Sequence, residues 1–405
     1  MADEKPLSGV RICDFSWAMA APMATRMLAD FGAAVVRIEP HNRYDAARTQ
    51  PPFLNNQPGV ENSAMWSNCD AGKLSIVLDL ARPAARRVAL DLVRWAGVVM
   101  ESFSPGTMRK WGLDYEALRE VSPGLIMLSS SLMGQDGPMA DYAGWGYMGA
   151  AMAGFHQVTG WPDRDPSGPF HSYTDYVVPR MTALALLAAL DHRRLTGEGQ
   201  YIDFSQVEAA THFLAPAYLD YSANGRAARA MGNRDFNFAP HGVYPCAGED
   251  RWIAIVCENG AQWRALCAVM QRPELQQDPR FGSITGRLEH AADLDEIVSR
   301  WTAMQDQYQA ETMLQAAGVP ASAVQNCSEL TADPQLAHRG HFVKVKHPLH
   351  GAIHVESNAI KLSQTPGSIE TAAPTLGGDA HHILADILGY SEDQITELAE
   401  EGALG

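Results

Sequence analysis

Short apolar runs alternate with longer stretches of helical spacing between residue 10 and about residue 130. The short runs are rich in β-branched residues, and the longer stretches place apolar side chains three and four positions apart. The pattern predicts strands at Val10–Phe15, Ala34–Ile38, Ser75–Leu80, Val98–Glu101 and Leu125–Ser129, with helices at Ala20–Phe31 and Ala84–Ala96. Strands that alternate with helices of this length are typical of parallel βαβ units, so we expect an α/β fold.

The turn after the first strand separates this chain from nicotinamide enzymes with the same Rossmann-like layout. Such enzymes need the glycine-rich turn G-x-G-x-x-G after that strand, because the backbone must approach a pyrophosphate closely. Residues 16–22 read Ser-Trp-Ala-Met-Ala-Ala-Pro and contain no glycine. Glu39 ends the second strand, where a ribose-binding acid would lie, but a solvated strand-end carboxylate explains it more simply. We therefore expect no nicotinamide cofactor.

The overall charge bears on which partners are expected. The 405 residues include 31 basic and 47 acidic side chains, a formal net charge of −16. A nucleic-acid-binding protein needs a basic surface, and so does binding to an anionic membrane. The chain begins with a polar, charged segment that lacks the apolar core of a signal peptide, and its longest apolar run is too short to span a bilayer. The six cysteines are scattered, as is typical of reduced thiols in the cytoplasm.

The charge is distributed unevenly along the chain. Residues 1–110 carry 13 basic and 11 acidic side chains, whereas residues 111–405 carry 18 basic and 36 acidic ones. Because ligands bind beyond the carboxyl ends of parallel strands, an anionic ligand is expected at the slightly basic first part. The candidate cations there are Arg37, Lys73, Arg82, Arg109 and Lys110, although any single one is more often a solvated surface charge.

Asp175 is the first candidate for chemistry. It lies just before a strongly helical stretch, Val177–Arg194. A helix N-terminus stabilises a carboxylate, and most aspartates in this position only cap the helix. An ionised and partly desolvated carboxylate can instead act as a covalent nucleophile. The aromatic residues that precede it either pack in the core or line a pocket, namely Trp145, Tyr147, Phe155, Trp161, Phe170 and Tyr173.

Two glycine-containing loops follow predicted strands. Residues 134–138 read Gly-Gln-Asp-Gly-Pro, and residues 258–261 read Glu-Asn-Gly-Ala after a strand predicted at Trp252–Val256. Each is either a plain turn or a source of backbone N–H groups for a reacting carbonyl. His156 and His171 lack the spacing of metal ligands, and we expect no metal. The sequence contains neither a G-x-S-x-G elbow nor a P-loop.

Several segments, taken in order, make the chain resemble the class III CoA-transferases, the CaiB–BaiF family that includes formyl-CoA and carnitine CoA-transferases. The segments are Leu7–Ile12 with Asp14, Phe15 and Pro22, then Gly32–Pro40, Lys73–Leu80, Glu101–Gly106 with Gly112–Leu113, Gly134–Pro138, Thr196–Gln200 and Thr365–Gly367. Each segment alone is weak, but their order over nearly the whole chain is specific.

The resemblance implies an acyl-CoA donor, a carboxylic-acid acceptor and a covalent intermediate. The family's nucleophile is an aspartate before the helix that precedes T-G-x-G-Q, and that position here is Asp175. Its carboxylate would attack the donor thioester, and the released CoA thiolate would convert the resulting mixed anhydride into an aspartyl-CoA thioester. The acceptor acid would then reverse these steps, so that one difficult transfer is divided into easier ones.

The resemblance also implies that coenzyme A lies along the N-terminal part of the chain. Two positions depart from the family, because Ser102 replaces the usual Asn and Pro40 stands where formyl-CoA transferase has a basic residue. The implied contacts are Trp17 and Ala18 after the first strand, Leu78 and Arg82 after the third, and Ser102, Phe103, Arg109 and Lys110, with Arg37 adding charge.

The same resemblance places loop residues at the substrate. They are Gln135 and Gly137 in the first loop, Trp145 shortly after it, and Glu258, Asn259 and Gly260 in the second loop. The second loop falls where family members carry a glycine-containing loop over the active site. It is less glycine-rich here than in formyl-CoA transferase.

Two other functions are compatible with this fold. The α-methylacyl-CoA racemases use a His–Asp base pair, and their His follows the G-Q-x-G-P loop. Trp145 occupies the matching stretch here and cannot accept a proton, which favours a transferase. Some family members work as paired unlike subunits, so the chain could be a mainly structural subunit. The presence of Asp175 argues against that role.

The resemblance finally implies an architecture. A large Rossmann-like domain would be formed by residues 1–224 and 329–405, with a small α+β domain of residues 225–328 inserted between them. Turn-rich sequence between residues 222 and 240 agrees with the first boundary. Family members form interlocked homodimers, which we expect here. The aromatic residues near Asp175 favour a bulky or aromatic acid, or a dicarboxylate such as a substituted succinate, and the sequence does not decide between them.

Overall fold

A computed structural model describes residues 5–40 and 42–404. Its first part contains a sheet of six strands among the described residues, and every neighbouring pair in it is parallel. The strands are β1 (Arg11–Asp14), β2 (Ala34–Glu39), β3 (Leu74–Val77), β4 (Val98–Glu101), β5 (Ile126–Ser131) and β6 (Tyr201–Ser205). The expected α/β class is confirmed, and the predicted positions of the first five strands are confirmed to within a few residues.

The remaining strands form two smaller sheets. A three-stranded antiparallel sheet contains β7 (His241–Pro245), β8 (Trp252–Val256) and β9 (Ala321–Ala323). An antiparallel pair is formed by β10 (Phe342–His347) and β11 (Gly351–Glu356). The alternation of exposed and buried positions along β10 is typical of a sheet with one face in contact with solvent.

The α-helices are α1 (Ala20–Asp30), α2 (Ala46–Thr49), α3 (Ala64–Cys69), α4 (Pro83–Ala96), α5 (Thr107–Lys110), α6 (Tyr115–Val121), α7 (Gly146–Met152), α8 (Phe155–Val158), α9 (Tyr173–Val177), α10 (Pro179–Thr196), α11 (Gln206–Thr211), α12 (Ala215–Asn224), α13 (Gly260–Val269), α14 (Ile284–Glu289), α15 (Ala291–Thr302), α16 (Gln307–Ala316), α17 (Cys327–Thr331), α18 (Pro334–His338) and α19 (Glu392–Glu400). A π-helix spans His382–Ile387. Among the described residues, no helix combines the length and apolar character needed to cross a membrane.

The strands β1 to β5 are largely buried, because the sheet is covered on both faces there, which explains the apolar runs of strands such as β4. The edge strand β6 is partly exposed. On one face, α1 and α10 pack together over alternate residues such as Ile12, Val35 and Ile126. On the other face, α4 covers the intervening residues, together with the π-helix and α19 near the C-terminus. Pro83 begins α4, and Gly97 ends it in a left-handed conformation, as is favoured at these two positions. The return of the C-terminal chain to the first sheet follows from this packing.

The sheet order β3-β2-β1-β4-β5-β6 places a topological switch point between β1 and β4. In doubly wound sheets of this order, ligands bind in the crevice beyond the carboxyl ends of the strands, where the direction of winding changes. The loops that follow β1 and β4 therefore border the crevice in which a ligand is expected.

The chain divides into two compact units. The first comprises the described residues up to 156, residues 168–227 and the described residues from 335, and the second comprises residues 157–167 and 228–334. The sequence placed the boundaries at 225 and 328 and left residues 157–167 in the large domain. That segment joins the second unit because the N–H of Ala230 donates to the carbonyl of Gln157 and the N–H of Gly232 donates to that of Gly160.

The helix expected at Val177–Arg194 is confirmed to within two residues as α10, which begins at Pro179. Proline is well accommodated at this first helical position. The sequence did not predict α9, the short helix that precedes α10 and contains Asp175. The helical conformation therefore starts at Tyr173, two residues before Asp175. At the other end of the chain, Ser391 and Gln394 form a capping box at the start of α19.

Candidate active site

The loops after β1 and β4 meet across the switch point. The N–H of Trp17 donates to Oγ of Ser102 over 2.8 Å. The indole of Trp17 lies 6.1 Å from the ring of Phe103, which in turn makes an edge contact with Trp111 at 5.3 Å between centroids. Glu101 is buried and accepts the N–H of Phe103, which orients this loop. The structure therefore brings together Trp17, Ser102 and Phe103, as the sequence predicted for one site.

A groove of about 490 Å³ extends from these loops over the ends of β2 and β3. Among its described lining residues, Arg43 is the only arginine or lysine, and its guanidinium lies 5.1 Å from the ring centroid of Trp17. No ion pair joins Arg43 to a carboxylate of the described residues. Sequence reasoning missed Arg43, although it lies three positions after Pro40, where formyl-CoA transferase has its basic residue. The other lining residues include Ile38, Pro40, Asn42, Leu78, Ala81, Ser104 and Thr107.

The expected role of Arg37 at this groove is wrong. Its side chain is completely buried, where it pairs with Asp45 and lies 3.6 Å from Asp14. Arg82 and Arg109 are exposed and pair with Asp79 at 3.5 Å and Asp114 at 3.3 Å. Neither these two nor the exposed Lys110 is among the residues that line the groove. The sequence could not distinguish a buried cation from an exposed one because their burial depends on tertiary packing.

Arg37 belongs to a buried charge cluster beneath the strand ends, which we define as Asp14, Arg37, Asp45, Asp70 and Lys73. Nζ of Lys73 lies 2.7 Å from Asp70 and 3.2 Å from Asp14. Burial alone would raise the pKa of Asp14, but Lys73, Arg37 and the hydroxyls of Ser16 and Thr25 outweigh it and hold the pKa below its usual value. The cluster is a fully buried set of compensated charges.

The cluster also holds the turn after β1. Ala18 has a φ of +63°, a conformation that a residue with a side chain rarely adopts. Its N–H donates to the carboxylate of Asp45 over 3.0 Å, and Asp45 in turn pairs with Arg37. The same carboxylate accepts the N–H of Ala47 at the start of α2. A buried ion pair therefore fixes a strained residue that borders the cavities described below.

Asp175 lies in α9 with only 8 % of its surface exposed. Of the two roles considered for it, capping is excluded, because Ser172 is the N-cap residue and Asp175 lies in the first turn of the helix. Its Oδ1 accepts from Nε2 of Gln206 over 2.5 Å. Burial raises its pKa to about 6, and the hydrogen bonds from Gln206 and the backbone of Gly146 oppose that shift only in part. Asp175 is thus a desolvated carboxylate that is held by amides.

Gly146 permits the close approach of α7 to this carboxylate. A Cβ atom at Gly146 would lie 2.6 Å from Cγ of Asp175 and 2.7 Å from its Oδ1. The carbonyl of Gly146 accepts from Oγ1 of Thr174 over 3.0 Å, which ties the two helices together. Sequence reasoning missed both Gly146 and Gln206, since Gln206 is separated from Asp175 by 31 positions and no local motif links them.

Two cavities meet at Asp175. The first, of about 280 Å³, also borders Trp17, Ser102, Phe103 and Gln206, so it joins the groove to the carboxylate. The second, of about 320 Å³, lies on the side of α2 and α3 and is called the acid pocket below. Its lining residues are Ala18, Met19, Ala46, Ala47, Gln50, Met65, Trp145, Tyr147, His171, Ser172 and Asp175. Trp145 lines both cavities, so the structure brings it beside Asp175.

The two predicted loops lie in different units. The N–H of Gln135 donates to Asp203 over 2.9 Å, and its side chain reaches the carbonyl of Phe103 at 3.4 Å. Gly137 adopts a φ of +91° in the same turn. In the second unit, Asn259 caps α13 by accepting the N–H groups of Ala261 and Gln262. Gly260 begins that helix, and the N–H of Glu258 donates to Gln262.

The sequence model of CoA-transferase family III matches residues 7–380. Succinyl-CoA–D-citramalate CoA-transferase of Chloroflexus aurantiacus is 34% identical over 394 residues, which cover 97% of each chain. The chain belongs to CoA-transferase family III. Succinate–glutarate CoA-transferase of Agrobacterium fabrum is also 34% identical, over 94% of this chain and 96% of that one. A crystal structure of a CaiB/BaiF family protein from Brucella suis has a TM-score of 0.87 and 29% identity, and covers 95% of this chain and all of that one.

Membership of family III confirms the resemblance seen in the sequence. It also confirms that the protein is an enzyme, a CoA-transferase whose substrates are CoA thioesters and acids.

Proposed function

We propose that this enzyme moves CoA from an acyl-CoA to a carboxylic acid through a covalent intermediate on Asp175. The observation that carries the proposal is a buried carboxylate, held by amides rather than by cations, at the meeting point of two cavities. A carboxylate that lacks a compensating positive charge is a better nucleophile than one in an ion pair, because its negative charge is less stabilised.

The proposed steps conserve every acyl group and electron pair. The Asp175 carboxylate attacks the thioester carbonyl of the donor, the C–S bond breaks, and a mixed anhydride and a CoA thiolate result. The thiolate attacks the aspartyl carbonyl of the anhydride, which releases the donor acid and leaves an aspartyl-CoA thioester. The acceptor carboxylate attacks this thioester and regenerates an anhydride and a thiolate. The thiolate then attacks the acceptor's acyl carbonyl, and Asp175 is restored.

The groove is the proposed place of coenzyme A. Trp17, Leu78, Ser102 and Phe103 line it, and Ala18 lies where it continues towards Asp175. Arg43 is proposed to bind a phosphate in place of Arg37, since its guanidinium has no carboxylate partner among the described residues. Arg82 directly follows the lining residue Ala81, and Arg109 and Lys110 lie between the lining residues Thr107 and Trp111. These three cations are proposed to add positive charge at the rim.

Gln135, Gly137 and Trp145 are proposed to act on the substrate side of the site, with Trp145 closing the acid pocket. The loop of Glu258, Asn259 and Gly260 is also proposed to act on the substrate. The carboxylic acids named for the relatives, such as succinate, glutarate and citramalate, support acids as acceptors. No metal and no nicotinamide enters the proposed steps.

We propose that the enzyme works as an interlocked homodimer in the cytoplasm. In α12, none of the ten described residues is buried, and Tyr218, Leu219 and Tyr221 expose much of their apolar surface. Leu184 and Leu187 are exposed on α10. Apolar surface of this extent supports a partner chain. A related subunit of a succinyl-CoA–L-malate CoA-transferase shows that unlike subunits occur among relatives. The oligomeric state of the purified chain is therefore measured as part of the test.

The test is transfer from succinyl-CoA to a panel of carboxylic acids by the purified chain. Asp175→Ala should reduce kcat by at least about a thousandfold, with CoA binding retained in a direct binding assay. Asp191→Ala, a change at an exposed aspartate of α10, serves as the matched control and should leave the rate unchanged. Retained turnover by Asp175→Ala would contradict the proposal.

Two outcomes would favour the other functions. Exchange of an α-hydrogen of an acyl-CoA for deuterium, without any transfer, would indicate a racemase. Transfer that requires an added unlike chain would indicate a subunit of a heteromeric enzyme. Light scattering or analytical ultracentrifugation of the same sample checks the homodimer.

A further inference from the structure

The acid pocket has largely apolar walls and, among its described lining residues, one imidazole. Met19, Met65, the two alanines of α2 and the rings of Trp145 and Tyr147 form apolar parts of the walls, and Asp175 also lines the pocket. Among the described residues that line this pocket, His171 is the only one able to carry a positive charge. The pocket therefore combines a surface suited to methylene groups with one polar group suited to an anion.

His171 is held in a conformation that its side chain disfavours. Its φ is +52°, in the left-handed region, and its carbonyl accepts the N–H of Tyr173 over 3.0 Å. Strained non-glycine residues persist where the surrounding structure enforces them, and they cluster at ligand sites. The strain lies in the turn that leads directly into α9, so it sets the direction of the imidazole relative to Asp175.

The imidazole of His171 is free to bind a ligand. Its side chain is exposed, and neither ring nitrogen hydrogen-bonds to another of the described residues, although the ring lies 5.8 Å from that of Phe170. It is close enough to Asp175 for its charge to lower the pKa of that carboxyl in part. A short acid whose reacting carboxylate lies at Asp175 would therefore have its far end within reach of the imidazole.

We propose that the acceptor is a short dicarboxylic acid, whose reacting carboxylate lies at Asp175 and whose second carboxylate is bound by His171. The methylene groups between them lie against Met19 and Met65. The proposal rests on the proposed function, since it assumes that the acid reacts at Asp175. It assigns to His171 the selection of the acid and gives it no part in the covalent steps.

The test compares diacids with monoacids of equal length. With succinyl-CoA as the fixed donor, kcat/KM is measured for malonate and glutarate and for propionate and valerate. In a ping-pong reaction this ratio depends only on the half-reaction of the acceptor, so effects of a variant on the donor cancel. The wild type should favour the diacid of at least one pair by about tenfold or more, as expected for a hydrogen bond to a charged group.

His171→Gly and His171→Asn both suit a left-handed backbone, because glycine and asparagine adopt it with little strain. Each should lower kcat/KM for the preferred diacid by about tenfold or more and change that for the matching monoacid less than about threefold. His192→Asn on α10 is the matched control at an exposed histidine and should change neither.

Equal losses for diacids and monoacids, or a wild type without preference, would overturn the assignment of His171 while leaving transfer through Asp175 intact. Absence of transfer to any acid by the wild type would overturn the proposed function and this assignment together. Melting temperatures of the two variants within a few degrees of the wild type exclude unfolding as the cause of a lost preference.

Discussion

Two buried carboxylates border the same turn of this molecule and have opposite environments. Asp14 ends β1 and contacts Lys73 at 3.2 Å and Arg37 at 3.6 Å. Asp175 lies in α9 and contacts an amide side chain and a backbone N–H, with no arginine or lysine paired to it among the described residues. Burial acts on both, yet the pKa of Asp14 is lowered and that of Asp175 is raised to about 6.

One fold thus holds both a structural and a reactive carboxylate. Compensating cations stabilise the ionised form of Asp14, which accepts the N–H of Ser16 at the start of the turn after β1 instead of reacting. Amides position Asp175 without neutralising its charge, so its ionised form is less stabilised than that of Asp14. Two cavities give access to this carboxylate. The buried charge cluster therefore stabilises the framework, and Asp175 carries the proposed chemistry.

The largest effect is expected from breaking the charge compensation of the cluster. Lys73→Met removes the ammonium that lies between Asp14 and Asp70. It removes one of the two cations beside these buried carboxylates and leaves only Arg37, at 3.6 Å from Asp14 and 4.0 Å from Asp70, which costs about 3–5 kcal/mol. Chemical denaturation should show this loss in the free energy of unfolding. Lys110→Met, at an exposed lysine, is the control; equal stability of both variants would show that the cluster is not compensated as described.

The next effect is expected at the contact between α7 and the nucleophile. In Gly146→Ala, the new Cβ would overlap the Asp175 carboxylate. The carboxylate must rotate away, because it is smaller than the backbone of α7, the other group that could move. A misplaced nucleophile lowers kcat by about a hundredfold, while the fold is retained. Gly124→Ala is the control, since a Cβ there meets nothing closer than 3.4 Å. Unchanged kcat for Gly146→Ala would mean that the carboxylate does not react from this position.

A smaller effect is expected from Asp175→Asn, which should stabilise the folded protein, whereas Lys73→Met destabilises it. The pKa of the folded state, about 6, lies above the unfolded value, so ionisation destabilises the folded state at pH 8. Removing the charge should raise the free energy of unfolding by about 2–3 kcal/mol at pH 8. The gain should shrink as the pH falls through 6 towards 4, where the carboxyl is protonated in the folded state and about half protonated in the unfolded state. Denaturation at both pH values checks this, and a gain that is the same at each would contradict the raised pKa.

The smallest effect concerns the acidic limb of the pH profile. The proposed nucleophile must be ionised, so kcat/KM should fall below about pH 6. Gln206→Met removes the hydrogen bond that favours the ionised form, which should move this limb to higher pH by about half a unit to one unit. Rates measured from pH 5 to 8 test it. A shift to lower pH would show that Gln206 does not stabilise the carboxylate.

The sequence predicted the central sheet well because the physical signal for it is local. Buried parallel strands such as β4 form apolar runs, and helices such as α4 show apolar spacing with proline at the start and glycine at the end. Asp175 was identified through the order of family motifs, and the contact between Trp17 and Ser102 follows from the switch point. These features can be predicted from neighbouring residues or from the order of segments along the chain.

What the sequence could not predict depends on packing between distant segments. Arg37 and Arg43 have the same side chain, yet one is sealed among carboxylates and the other is free beside Trp17. Gln206 and Gly146 reach Asp175 from separate helices, and no spacing rule joins them. The short helix α9, which contains Asp175, was not predicted, since a local pattern shows helical tendency but not where one helix ends and the next begins.

The central claim is that Asp175 becomes covalently bound to CoA, and a trapping measurement tests it most directly. The wild type is incubated with succinyl-CoA, treated with hydroxylamine, digested and analysed by mass spectrometry, with Asp175→Asn as the control. The account predicts a hydroxamate on Asp175 in the wild type, formed from its thioester or anhydride, and none at that position in the variant. Full transfer activity with an unmodified Asp175 in the trapped wild type would contradict it.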